Sequence, residues 1–183
     1  MEPPVYVLAG PPAVGKSTTA HALAATFELS VHVPVDDLRH LVVGGLALPA
    51  PGWTDGIARQ VALGREAALR VTGTYRAAGY AVVLDDFYDP LGMREYRGLL
   101  AGPDVHGIVL LPAEAEARRR GATRSAGALE PAVEMAIGHG YAILRPLADR
   151  LATEGWLVLD TSALDVESTV WTIRAATAPA GHG

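Results

Sequence analysis

The chain of 183 residues contains no cysteine, which removes disulfides, zinc knuckles and thiol catalysis from the possible chemistry. Basic charge is not in excess either. The formal charge is −5, so the sequence lacks the overall basic field of a duplex-binding protein, and a nucleic acid partner is not expected. No hydrophobic run is long enough to cross a bilayer: the longest uncharged stretch, Leu41 to Thr54, is broken by three glycines and two prolines. The opening Met-Glu-Pro-Pro has no basic region of the kind that starts a signal peptide. No repeat or low-complexity linker divides the chain. These absences lead us to expect a cytoplasmic protein with one domain over residues 1–178 and a frayed tail over 179–183, long enough to bury a real core.

Lysine is almost missing, and the exception is informative. Lys16 is the only one in the chain, and it sits inside Gly10-Pro11-Pro12-Ala13-Val14-Gly15-Lys16-Ser17, a complete match to the phosphate-binding pattern G-x-x-x-x-G-K-[ST]. Every other fixed positive charge is arginine. An ammonium is a compact point charge that fits between β- and γ-phosphates, whereas a guanidinium needs room for its planar fork. The flanks match the motif: Val5 to Ala9 reads as a short buried strand, and Ser17 to Phe27 as a helix with Ala20, Leu23, Ala24 and Phe27 on one face. Pro11 and Pro12 have no N–H, so Gly10 and Ala13 shape the loop while the amides that wrap phosphate come from Val14, Gly15, Lys16, Ser17 and Thr18, helped by the helix dipole. The Ser17 hydroxyl is placed for Mg²⁺.

Further apolar runs lie at Ser30 to Val35, Ala81 to Leu84, Gly107 to Leu111 and Trp156 to Leu159, with helical patterns between them. Long helices are expected over Ile57 to Ala78 and over Leu129 to Thr153, the second interrupted by Pro131 and Pro146. This alternation predicts an α/β fold with a parallel sheet covered on both faces and ligands at the carboxyl ends of the strands. Acids stand at those ends. Asp36 and Asp37 follow the second run: one can accept the proton of an acceptor hydroxyl and the other cap the next helix, and Asp36 is taken as base with Asp37 as cap. Asp85 and Asp86 follow the third, with Asp85 assigned to Mg²⁺ and Asp86 to substrate; an ordinary strand-end turn is the plainer reading of the pair. Asp89, Arg94 and Arg97 lie in the same connection, although the two arginines fit a solvated helix face.

The run Ala113 to Arg124 separates residue by residue. Glu114 pairs with Arg118 and Glu116 with Arg120 at i, i+4. Arg119 and Arg124 have no partner at that spacing, which leaves Arg119 for the nucleotide. Gly121 is expected to end the helix, putting Arg124 on a lid near 118–128 that can close over a triphosphate and stabilise the transferring group. The six histidines form no i, i+4 pair near acids and are read as surface or satisfied core residues. Trp53, Trp156 and Trp171 are expected in the core, except that Trp53 and its apolar, glycine-rich neighbours can line an acceptor pocket.

With these residues in place the chain resembles the small P-loop kinases over residues 4–175, and most of all the chloramphenicol phosphotransferase-like proteins. The closer likeness rests on Val35-Asp36-Asp37-Leu38, on Val83-Leu84-Asp85-Asp86-Phe87 and on the segment from Leu159-Asp160-Thr161-Ser162 to Ile173. The resemblance implies a three-layer P-loop NTPase fold with a five-stranded parallel sheet, adenylate-kinase-like, using ATP and Mg²⁺. It also implies Asp36 as base, Lys16 and Ser17 on phosphate and Mg²⁺, Arg120 with Arg124 as the lid pair, and Thr161 and Ser162 beside the adenine. Arg39 matches the position that engages a substrate phosphate in polynucleotide kinases. The expected activity is transfer of the γ-phosphoryl group to a hydroxyl of a small molecule, such as an antibiotic or natural product. The alternatives are a polynucleotide or nucleoside 5′-hydroxyl kinase and a nucleotide-binding switch without catalysis.

Overall fold

Five short, largely apolar strands stack side by side in one parallel sheet. The computed structural model describes residues 2–47, 54–87, 96–100, 102, 104–124 and 129–178. The strands are β1 (Val5–Ala9), β2 (Ser30–Pro34), β3 (Ala81–Asp85), β4 (Val105–Leu110) and β5 (Leu157–Leu159), in the order β2-β3-β1-β4-β5. The helices among the described residues are α1 (Lys16–Ala24), α2 (Val35–His40), α3 (Asp55–Ala77), α4 (Arg97–Leu100), α5 (Glu114–Arg124), α6 (Pro131–Leu144), α7 (Ala148–Thr153) and α8 (Val166–Ala176). The expected break at Pro146 is a single 3₁₀ turn, Arg145–Leu147, between α6 and α7. Pro131 does not break a helix but starts one, at a position where its missing N–H costs nothing.

Strand periodicity divides the core in two. Val5, Val7, Ala9, Val82 and Leu84 face one side, packed by Ala68 of α3 and Leu151 of α7. Tyr6, Leu8, Val83, Ile108 and Leu110 face the other, packed by Leu23 of α1, Ala117 of α5 and Ile173 of α8. A chain whose strands are buried on both faces reads as continuous apolar runs rather than as an alternation, which is the pattern of β1 and β3. β1 is central, pairing with β3 on one side and β4 on the other. The turn after it therefore opens at the middle of the sheet's carboxyl edge, where ligands bind in such sheets.

Two expectations about the core are corrected. Trp156 is buried, where its ring would collide with any Cβ at Gly107, but Trp171 is 72% exposed on the outer face of α8. α1 ends at Ala24, three residues before Phe27. Trp53, Asp89, Arg94, residues 125–128 of the expected lid and the tail over 179–183 lie outside the described residues. Among the described residues, no helix is long and apolar enough to cross a membrane.

Candidate active site

The loop from Gly10 to Gly15 joins β1 to α1, as its sequence requires. Gly10 is held at φ +150°, and a Cβ there would fall 2.5 Å from Leu110 O, so the chain can leave the sheet at this point only as glycine. Ala13 and Gly15 also have positive φ, 64° and 98°. Successive turns of this kind aim backbone N–H groups into one concavity, adding to the partial positive charge of the α1 terminus. Ser17 and Thr18 are exposed on the first turn of α1, with hydroxyls available to a ligand. α5 is pressed onto this loop: a Cβ at Gly121 would lie 2.6 Å from Leu129 and 3.2 Å from Ala13.

Lys16 lies where the loop meets the helix, its Nζ donating to Pro11 O at 2.9 Å. Loss of hydration pushes its ammonium down to about 8, against the opposing pull of Asp85 and Asp86, while Arg124 adds to the lowering and Asp36 opposes it more weakly. Three carboxylates and one guanidinium, from the end of β3, from α2 and from the end of α5, are thus close enough to act on one ammonium. These are the groups that the sequence placed after the second and third strands and at the end of the arginine run.

Each has its own setting. Asp85 ends β3, buried, with Oδ2 2.9 Å from His32 Nε2. Asp86 does not face a substrate as expected. Its Oδ2 is paired inside the protein with Arg65 of α3 and accepts from Tyr96 Oη at 2.9 Å, while Oδ1 is buried without a hydrogen-bond partner among the described residues. Burial pushes this carboxyl above its usual range despite Arg65. Asp36 lies in the first turn of α2, half-exposed, with Oδ1 accepting from Arg39 Nε at 3.0 Å. Asp37 is not the cap, because Pro34 occupies that position, and Asp37 lies within the first turn of the helix. Its charge still faces the positive end of the helix dipole. Arg39, expected at a substrate phosphate, is instead used within the chain: it also donates to Ala47 O at 3.2 Å and lies 3.0 Å from His40 Nε2.

The arginine run departs from the expected pattern at its end. Gly121 does not terminate α5, which continues through Arg124. The glycine is there for close packing on Ala13, which outweighs its poor helix propensity. Arg118 pairs with Glu114 at 2.8 Å and with Glu134 at 2.9 Å. Arg119 is not unpartnered, since it pairs with Glu116 at i−3, 2.7 Å away, and Glu116 also takes Arg120 at 2.7 Å. Hydrogen bonds from Arg119 and then Arg120 hold the Glu116 carboxyl down to about 2. Arg120 Nη1 donates to Val14 O at 3.0 Å and Nη2 to Thr161 O at 2.7 Å, so it ties the phosphate loop to the turn after β5. That turn is further fixed by Ser162, whose Oγ donates to Asp160 and accepts from Ala113 N at 2.7 Å.

Between these elements opens a cavity of about 540 Å³, bounded by Gly15, Thr18, Arg119, Arg124, Thr161 and Leu164 among others, within the size range of small-molecule sites. It continues from the phosphate loop toward the turn after β5. The resemblance to the small P-loop kinases implies Thr161 and Ser162 beside the adenine, and both residues line the cavity. Sequence reasoning missed His32 and Arg65. Neither carries a motif, because each acts through a partner more than twenty residues away; the pairing of β2 beside β3 was the only available signal for His32.

Comparison with solved structures agrees with this layout over nearly the whole chain. The tunicamycin resistance protein of Deinococcus radiodurans matches with a TM-score of 0.64 at 18% identity, covering 97% of each chain. A gluconokinase from Sinorhizobium meliloti matches at 0.62 and 19%, covering 97% of this chain and 92% of its own. Shikimate kinase from Acinetobacter baumannii matches at 0.65 and 16%, covering 95% and 92%. The fold is that of the P-loop kinases. At these identities the likeness establishes the P-loop architecture with its five-stranded sheet. No protein-family model matches the sequence, and no curated protein matches it.

The donor set fits a P-loop metal. Ser17 and Asp85 offer hard oxygens, which suit Mg²⁺. Among the described residues no group of three or more His, Cys, Asp or Glu side chains could hold an ion unaided. Mg²⁺ is commonly bound in this incomplete way, through one or two protein oxygens together with substrate phosphates.

Proposed function

We propose that this protein is an ATP- and Mg²⁺-dependent phosphotransferase that moves the γ-phosphoryl group to a hydroxyl of a small molecule, such as an antibiotic or other natural product. The observation that carries the reading is the convergence of Asp85, Asp86, Asp36 and Arg124 on Lys16 at the mouth of the phosphate loop. Mere nucleotide storage needs the loop and lysine but has no use for an additional carboxylate and arginine, which argues against a non-catalytic switch.

In this reading Lys16 leaves Pro11 O to lie against the β- and γ-phosphates, and the Gly15 to Thr18 amides hold their oxygens. Ser17 and Asp85 would hold Mg²⁺, which would supply positive charge to offset that of the phosphates. Asp36 orients the acceptor hydroxyl and takes its proton as the new P–O bond forms and the β–γ bridging P–O bond breaks, so that ADP and the phosphorylated acceptor result. Arg39, bonded to one oxygen of Asp36, fixes that carboxylate. Arg124 meets the charge spread over the equatorial oxygens. The similarity to a gluconokinase and a shikimate kinase supports a small hydroxyl compound as acceptor, and the internal use of Arg39 weighs against a phosphorylated nucleic acid end.

Steady-state kinetics on two variants test this. Asp36→Asn should bind ATP nearly as well as the wild type while losing about a hundredfold or more in kcat. Arg39→Ala should lower kcat and leave the acceptor KM within about threefold. A rise confined to acceptor KM, accompanied by labelling of oligonucleotide 5′-ends, would favour the polynucleotide kinase reading instead.

A further inference from the structure

His32 belongs to no motif, yet it holds the carboxylate on which metal binding would depend. β2 runs parallel to β3 with His32 opposite Val83 and Pro34 opposite Asp85, so His32 and Asp85 lie on the same face of neighbouring strands, one step apart diagonally. A long side chain can span that diagonal. The imidazole Nε2 meets Asp85 Oδ2 at 2.9 Å, with the two side chains 18% and 7% exposed. A carboxylate only accepts hydrogen bonds, so Nε2 carries the hydrogen. On its other side the ring is met edge-on by His21 of α1, at 6.3 Å between centroids.

This contact matters because Asp85 has a competing partner. Of the charges acting on Lys16, Asp85 is the strongest. In a partly dehydrated site two such groups gain by forming a direct ion pair, which would remove both from service: the ammonium from phosphate and the carboxylate from the metal. They are not paired here. Lys16 is on Pro11 O and Asp85 is on His32.

We propose that His32 is a positioning residue that holds Asp85 off Lys16, keeping the carboxylate ready for a divalent cation and the ammonium ready for phosphate. This rests on the phosphotransferase reading above. Outer partners of metal ligands act in this way on orientation and affinity.

The test uses the full chain with Mn²⁺ as probe and a non-hydrolysable ATP analogue, following free Mn²⁺ by electron paramagnetic resonance. His32→Leu should weaken Mn²⁺ binding in the protein–nucleotide complex by about tenfold or more. His32→Gln, whose amide nitrogen reaches the place of Nε2, should return to within about threefold of the wild type, and His32→Asn, which is too short, should not. In an Asp85→Asn background the His32→Leu change should have no further effect. If His32→Leu does not fold, the Gln and Asn variants carry the same contrast. Equal Mn²⁺ affinity in the wild type and the Leu or Asn variant overturns the inference, as does a loss of the same size in the Asp85→Asn background. Failure of the wild type itself to bind Mn²⁺ with nucleotide overturns the reading beneath it as well, and so is distinguishable from failure of the His32 role alone.

Discussion

Nucleotide binding should take up a proton at Lys16 above neutral pH. Lost hydration holds the Lys16 ammonium down to about 8 in the phosphate loop, from an ordinary 10.5. A bound triphosphate places several negative charges against the same group and restores its charged form. At pH 8.5 a large part of Lys16 is therefore neutral in the free protein, and binding should take up a sizeable fraction of a proton per nucleotide, more at pH 9. A ligand that brings a proton with it binds less tightly as protons become scarce. Affinity should fall with rising pH above about 8, approaching tenfold or about 1.4 kcal/mol per pH unit, and should be insensitive to Lys16 below about pH 7, where the group is charged in both states. Isothermal titration calorimetry at pH 8.5 in two buffers of different ionisation enthalpy gives the uptake. Lys16→Met should lose both the uptake and most of the affinity. Uptake below about 0.1 proton in the wild type would refute the claim that the loop dehydrates this ammonium and that phosphate restores its charge.

Two further variants probe the arginines. Arg124→Ala should lower kcat far more than it raises the KM for ATP, because its guanidinium meets charge that develops only in transfer; Arg118→Ala removes exposed pairs worth about 0.3 to 0.5 kcal/mol each and should leave kinetics unchanged. Equal small effects in the two would mean that α5 is a solvated arginine face. Arg65→Met should destabilise the fold by about 3 to 5 kcal/mol in urea titration at neutral pH, since Asp86 is left buried without its cation; a loss under about 1 kcal/mol would show that the pair is not what secures α3 to the end of β3.

The phosphate loop and the sheet were legible from local signals. A motif that must leave a buried strand through a glycine and enter a helix through a lysine specifies its own geometry, and buried parallel strands announce themselves as apolar runs. The acids at the strand ends followed from the position of those runs. What stayed hidden depends on contacts distant in sequence. Gly121 reads as a helix breaker unless Ala13 is known to press against it, and Arg119 reads as unpartnered unless i−3 pairing to Glu116 is allowed for alongside the i−4 pair of Arg120. Trp171 resembles a core residue by type, and only the rotation of α8 puts it outside. Asp86 and Arg39 carry charges that look available for substrate, and their partners at Arg65, Tyr96 and Ala47 come from folding.

In the proposed reaction the groups around Lys16 transfer phosphate to a small hydroxyl compound. The most direct measurement incubates the protein with Mg²⁺ and γ-labelled ATP against a mixed panel of hydroxyl-bearing small molecules and unphosphorylated oligonucleotide ends, with Lys16→Ala and Asp36→Asn alongside. Label should move onto a small-molecule hydroxyl in the wild type, about a hundredfold or more slowly in Asp36→Asn, and nearly not at all in Lys16→Ala. Label on oligonucleotide 5′-ends alone, or transfer by Lys16→Ala at the rate of the wild type, would contradict the account.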